Sequence, residues 1–85
     1  MNWDLRVDRG VKKFLKKIPK KDAGRISWAI RLFGLNPYEG DIEKMEGEEN
    51  AWRRRVGTYR VFYEIYVSRR IIHVFKAERR GSKTY

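Results

Sequence analysis

Eighty-five residues with 21 Lys and Arg against 11 Asp and Glu give a formal charge of +10, which points to polyanionic partners: nucleic acid, an acidic protein, or both. The absence of cysteine excludes a disulfide framework and a thiolate metal site, and one histidine, His73, cannot build a zinc centre alone. No run of about 18 apolar residues could span a bilayer and the opening MNWDLRVDRG lacks the apolar core of a secretory signal, so the expectation is one cytoplasmic domain over residues 1–85 with no metal or cofactor.

Taken in chain order, residues 2–7 alternate. Trp3, Leu5 and Val7 fall on one side and Asn2, Asp4 and Arg6 on the other, the pattern of a half-buried strand. Asp8 then offers an N-cap to a short helix in which Val11, Phe14, Leu15 and Ile18 recur at helical spacing between lysines 12, 13, 16 and 17. Pro19 punctuates it. A second helical pattern carries Ile26, Ala29, Ile30 and Phe33, with Asp22 near its start and Gly34 suited to its end. Two such helices in succession predict a helical hairpin.

Residues 34–50, GLNPYEGDIEKMEGEEN, are rich in turn formers and glutamate and read as a loop, anchored by Ile42 and Met45. From residue 51 the segments AWRRRV, YRVFYEIYV and IIHVFKA are aromatic and β-branched. They predict three strands, with tight turns at Gly57-Thr58 and Ser68-Arg69. The fold class is therefore α+β: an N-terminal strand, a helical hairpin and a three-stranded antiparallel meander, the helices packed on one face of a four-stranded sheet.

Alternation then sorts the arginines. Arg53 and Arg55 point one way, and Trp52, Arg54 and Val56 the other. Val61, Tyr63 and Ile65 make a core row opposite Arg60, Phe62, Glu64 and Tyr66. If the helices cover one face, the other presents Arg53, Arg55 and Arg60 with Phe62 and Tyr66. Guanidiniums pair with phosphates through forked hydrogen bonds, and rings stack on unpaired bases for roughly 1–3 kcal/mol each. Arg54 shares the apolar row and is left out of the site. The closing AERRGSKTY adds Arg79, Arg80, Lys83 and Tyr85 near one sheet edge. No Ser-His-Asp set and no histidine pair is present. Arginine is a poor base but a good clamp for charge developing on phosphorus. His73 lies mid-strand and reads as a packed or half-exposed strand residue rather than a catalyst.

The stretch WRRRVGTYRVFYEI, residues 52–65, resembles the signature of the RelE/ParE toxin superfamily, in which a basic strand leads through a glycine into a Tyr-Arg pair and then a strand ending in Tyr-Glu. The Arg79-to-Tyr85 tail is similar to that family's C-terminal end. The resemblance implies the toxin of a type II toxin–antitoxin pair, a ribosome-dependent endoribonuclease that cleaves mRNA by metal-free attack of a ribose 2′-OH on the adjacent phosphate. It implies catalytic-face roles for Arg53 and Arg55, scissile-phosphate contact for Arg60, a second phosphate contact for Arg79, and base stacking with assistance to the chemistry for Tyr85. Phe62, Arg80 and Lys83 are the further RNA-binding candidates. The expected partners are the ribosome with its mRNA and a cognate antitoxin offering an acidic or amphipathic segment. Thr84 stands where several members have histidine. Two other readings stay open: a ParE-like inhibitor of DNA gyrase that cuts no RNA, and a non-toxic RNA- or protein-binding module.

Overall fold

A computed structural model describes residues 3–80 of the chain. The elements are β1 (Asp4–Val7), α1 (Arg9–Lys17), α2 (Lys20–Phe33), β2 (Ile42–Lys44), β3 (Ala51–Val56), β4 (Tyr59–Tyr66) and β5 (Ile71–Arg79). Five strands form one sheet in the order β1-β5-β4-β3-β2. β1 runs parallel to β5, and the other pairs are antiparallel. No helix among the described residues is long and apolar enough to cross a membrane.

The periodicities explain the layers. Lysines 12, 13, 16 and 17 of α1 are exposed while Val11 is buried. In α2 the stripe Ile26, Ala29, Ile30 and Phe33 is buried. Both stripes close on the sheet face that carries Val61, Tyr63, Ile65, Ile72 and Val74. The Phe33 ring stacks on Tyr63 at 4.1 Å between centroids, and both residues are fully buried. The Tyr63 hydroxyl donates 2.7 Å to the Pro37 carbonyl, which pins the 34–41 segment over the core. Burial of the ring pushes the Tyr63 hydroxyl well above its ordinary pKa, so it remains a donor.

The sheet has one more strand than the four expected. Ile42–Lys44 lies within the segment read as a loop, yet it pairs with β3 through Ile42↔Arg54, Glu43↔Arg53 and Lys44↔Trp52. Ile42 packs toward the core and Glu43 is exposed, so a two-residue period was hidden among the acidic residues and glycines. Gly57 alone supplies a positive φ (60°) at the two-residue β3–β4 turn, the type II′ arrangement. The β4–β5 connection covers 67–70 and ends on Arg70 at φ 56°.

One irregularity decides where the C-terminal arginines point. Phe62 pairs with Lys76 and Tyr63 with Val74, leaving Phe75 as an extra residue in β5. This β-bulge shifts the alternation of everything after it by one. Ala77 and Arg79 therefore continue the helix-covered face, opposite Val61 and Tyr59, while Glu78 lies opposite Arg60 on the open face.

Candidate functional site

A cluster of four arginines lies on the open sheet face at the end near the β3–β4 turn. Arg53 and Arg55 lie two apart on β3, and Arg60 pairs with Arg55 across the hairpin. Arg80 follows β5, its backbone N–H bonded to the Thr58 carbonyl. Arg53, Arg55, Arg60 and Arg80 line a small cleft of about 80 Å³ together with Asp41 and Glu43.

The carboxylates are part of the construction. Arg53 donates to Glu43 Oε1 through Nη2 at 2.8 Å and Nε at 3.3 Å. Arg55 Nε lies 3.6 Å from Asp41 Oδ2. Glu78 sits between Arg60 Nε and Lys76 Nζ, 3.4 Å from each. The hydrogen bond and charge of Arg53 hold the Glu43 carboxyl below the usual carboxylate range. The Arg60 Nε–H is buried and makes no hydrogen bond, because its contact with Glu78 is close enough to attract but poorly aligned. Arg80 has no carboxylate partner among the described residues.

Among the residues expected in the site, the structure brings together Arg53, Arg55, Arg60 and Arg80. It places Arg79 elsewhere: the guanidinium lies over the Tyr59 ring, 5.5 Å from its centroid, on the helix side of the sheet. The Tyr59 hydroxyl bonds to Asp22 of α2 at 2.7 Å, which raises its pKa and fixes that side as the packed one. The bulge at Phe75 is the physical reason for the exchange, since an unbroken strand would point Arg79 to the open face and Arg80 away from it. Phe62 needs a second correction. It lies on the open face but is only 6% exposed, with Phe75 at 6.3 Å and the Lys76 ammonium 5.2 Å above its ring. It is packed against Phe75 and Lys76 and offers no ring for a base to stack on. Lys83 and Tyr85 lie outside the described residues. Arg54 is held under Gly40 on the helix-covered side.

Sequence reading missed Asp41, Glu43 and Glu78 as members of the cluster. The signal was the alternation in DIEK, with Asp41 and Glu43 flanking an apolar Ile42. A wider cleft, about 680 Å³, opens at the far end of the same sheet and is lined by Arg6, Asp8, Tyr66, Arg69 and His73. There His73 bonds through Nε2 to Asp8 at 2.7 Å and through Nδ1 to Glu64 at 2.9 Å. Those two carboxylates raise its pKa. Asp8 thus spends its side chain on β5 and does not cap α1. Both ring nitrogens of His73 are engaged, whereas a guanidinium carries five N–H donors, more than the carboxylate contacts at the arginine cluster occupy.

No family model matches the chain. A Methanocaldococcus jannaschii protein described as "Putative toxin RelE1" is 29% identical over 83 residues, covering 94% of this chain and 92% of that protein. The RelE of an archaeal RelE–RelB complex from Pyrococcus horikoshii OT3 superposes with a TM-score of 0.83 at 26% identity, covering 98% of this chain and 100% of its own. In sequence and fold the chain is similar to RelE-type toxins. The isolated Escherichia coli RelE toxin shares the fold at a TM-score of 0.77 and 14% identity, over 95% of this chain and 87% of that one. Within this RelE-like fold the arginine cluster occupies the sheet face that the helices leave open.

Proposed function

We propose that this chain is the toxin of a type II toxin–antitoxin system and that it cleaves messenger RNA on the ribosome, with a cognate antitoxin as its neutralising partner. The observation that carries this reading is the convergence of Arg53, Arg55, Arg60 and Arg80 on one cleft of a RelE-like sheet. Relatives from Pyrococcus horikoshii and Methanococcus jannaschii were solved as RelE–RelB complexes, which supports the antitoxin.

In the proposed reaction a ribose 2′-OH attacks the adjacent phosphorus, the bond to the 5′-oxygen breaks, and a 2′,3′-cyclic phosphate and a free 5′-OH result. The guanidiniums hold the phosphate and neutralise charge on the pentacoordinate transition state. Arg60 stands between Arg55 and Glu78 with a buried, unbonded Nε–H, and it is the group assigned to the scissile phosphate. Arg80 takes the second phosphate contact in place of Arg79. Tyr85 keeps the role the family resemblance gives it, beside the base. Arginine stays protonated at neutral pH, so the proton of the 2′-OH leaves to another group.

The test is mRNA cleavage in vitro with and without programmed ribosomes. The wild-type chain cuts only when ribosomes are present, and Arg60→Ala lowers the rate roughly 10²–10³-fold, the loss typical of a single transition-state donor. Cleavage undiminished in Arg60→Ala removes the site assignment. A wild-type chain that leaves mRNA intact but inhibits DNA gyrase removes the nuclease reading.

A further inference from the structure

The two carboxylates that meet Arg53 and Arg55 follow each other at the two-residue period of an extended chain, with Ile42 turned to the core between them. Residues two apart on a strand are about 6.6 Å apart, comparable to the step between neighbouring phosphates of an extended nucleic-acid strand. Glu43 engages Arg53 through two of its N–H groups, as a phosphate oxygen does. Asp41 stands at Arg55.

We propose that Asp41 and Glu43 are built-in stand-ins for two adjacent RNA phosphates, holding the seats at Arg55 and Arg53 until an RNA backbone displaces them. The proposal rests on the RNA reading above. The pairs are suited to exchange. Asp41 and Glu43 side chains are 63% and 65% exposed, and exposed pairs of this kind add little to stability. Arg80, with no carboxylate partner among the described residues, and Arg60, whose only contact at Nε is the poorly aligned 3.4 Å approach of Glu78, are the positions where a phosphate gains contacts at the least cost in displaced ion pairs. A ligand that reaches only those two gains little. A single strand presenting consecutive phosphates reaches all four arginines and replaces both acids. The acids therefore select against isolated anions and loosely held polyanions, and they keep a +10 chain from sticking to every nucleic acid it meets.

The experiment is fluorescence anisotropy with a short labelled single-stranded RNA carrying 2′-O-methyl riboses, which cannot be cut. Glu43→Gln and Asp41→Asn each tighten binding roughly two- to fivefold, the scale of one exposed ion pair no longer competing. Inorganic phosphate competes better against the variants than against the wild type. Adding Arg53→Ala to Glu43→Gln cancels the gain. Unchanged or weaker binding by both amide variants, with the wild type still binding and Arg60→Ala still weakening it, overturns the stand-in role and leaves the RNA reading intact. Failure of the wild type and every variant to bind RNA at low salt overturns both. Glu43→Gln preserves side-chain shape and β2 pairing, so it decides the matter alone if thermal melting shows that Asp41→Asn loses its fold.

Discussion

Arg79 and Arg80 are neighbours in sequence, yet the bulge at Phe75 sends them to opposite faces of the sheet, and this separation is measurable. Binding of a single-stranded nucleic acid weakens with salt with a log–log slope of about −0.7 for each phosphate neutralised. Removing one phosphate contact therefore flattens the slope by about 0.7. Over a fourfold rise in salt, from about 50 to 200 mM, the variant's affinity falls about 2.6-fold less than the wild type's. Arg80→Ala shows this flattening, because its guanidinium lines the cleft with Arg53, Arg55 and Arg60. Arg79→Ala leaves the slope unchanged and loses only the cation over the Tyr59 ring, read as a small drop in Tm. Anisotropy titrations with the uncuttable RNA at several salt concentrations give both slopes. A flattened slope for Arg79→Ala with an unchanged one for Arg80→Ala refutes the face assignment and, with it, the role given to the bulge.

Three further outcomes follow from packing and titration. Phe33→Ala removes a fully buried ring stacked on Tyr63 and costs about 3–5 kcal/mol, enough to shift the urea midpoint far down in so small a fold. Tyr63→Phe leaves the Pro37 carbonyl without its buried donor and costs about 1–3 kcal/mol by the same assay. His73 is held between Asp8 and Glu64, which raise its folded pKa above the ordinary histidine value. A group with a raised folded value stabilises fully below its unfolded value and loses that contribution as pH rises through the folded one. Wild type therefore exceeds His73→Gln in stability by the most below about pH 6.5, and the advantage shrinks above it, as urea unfolding across pH would show. An advantage that grows with pH contradicts the clamp.

Much of this was legible in the sequence, because the operative rules were local. The alternation in WRRRV put Arg53 and Arg55 on one face and Arg54 on the other, and the helical spacing in α1 and α2 marked the residues that cover the sheet. What escaped depended on partners distant in the chain. Ile42–Lys44 is too short to announce itself, and it is a strand because β3 offers it an edge. The bulge exists only in the pairing of β4 with β5, so the sequence of β5 alone assigns Arg79 and Arg80 to the wrong faces. Phe62 sits on the expected face, but Phe75 and Lys76 converge over it at that same bulge. Asp8 looks like a helix cap until His73, far along the chain, claims its carboxylate.

The parallel pairing of β1 with β5 sets an order of assembly. Leu5 meets Ile72 and Val7 meets Val74, so an early strand waits for the latest one before it has an edge to join. During synthesis the helices can form while β1 has no partner, since β5 is the last strand to be made. Contacts of such long sequence separation slow folding. Arg80 reaches the cleft only after β5 has paired, so the complete four-arginine surface exists only on a chain whose sheet is closed. A ribosome carrying a half-made copy holds basic segments but no assembled arginine cluster, which waits for the pairing of β5.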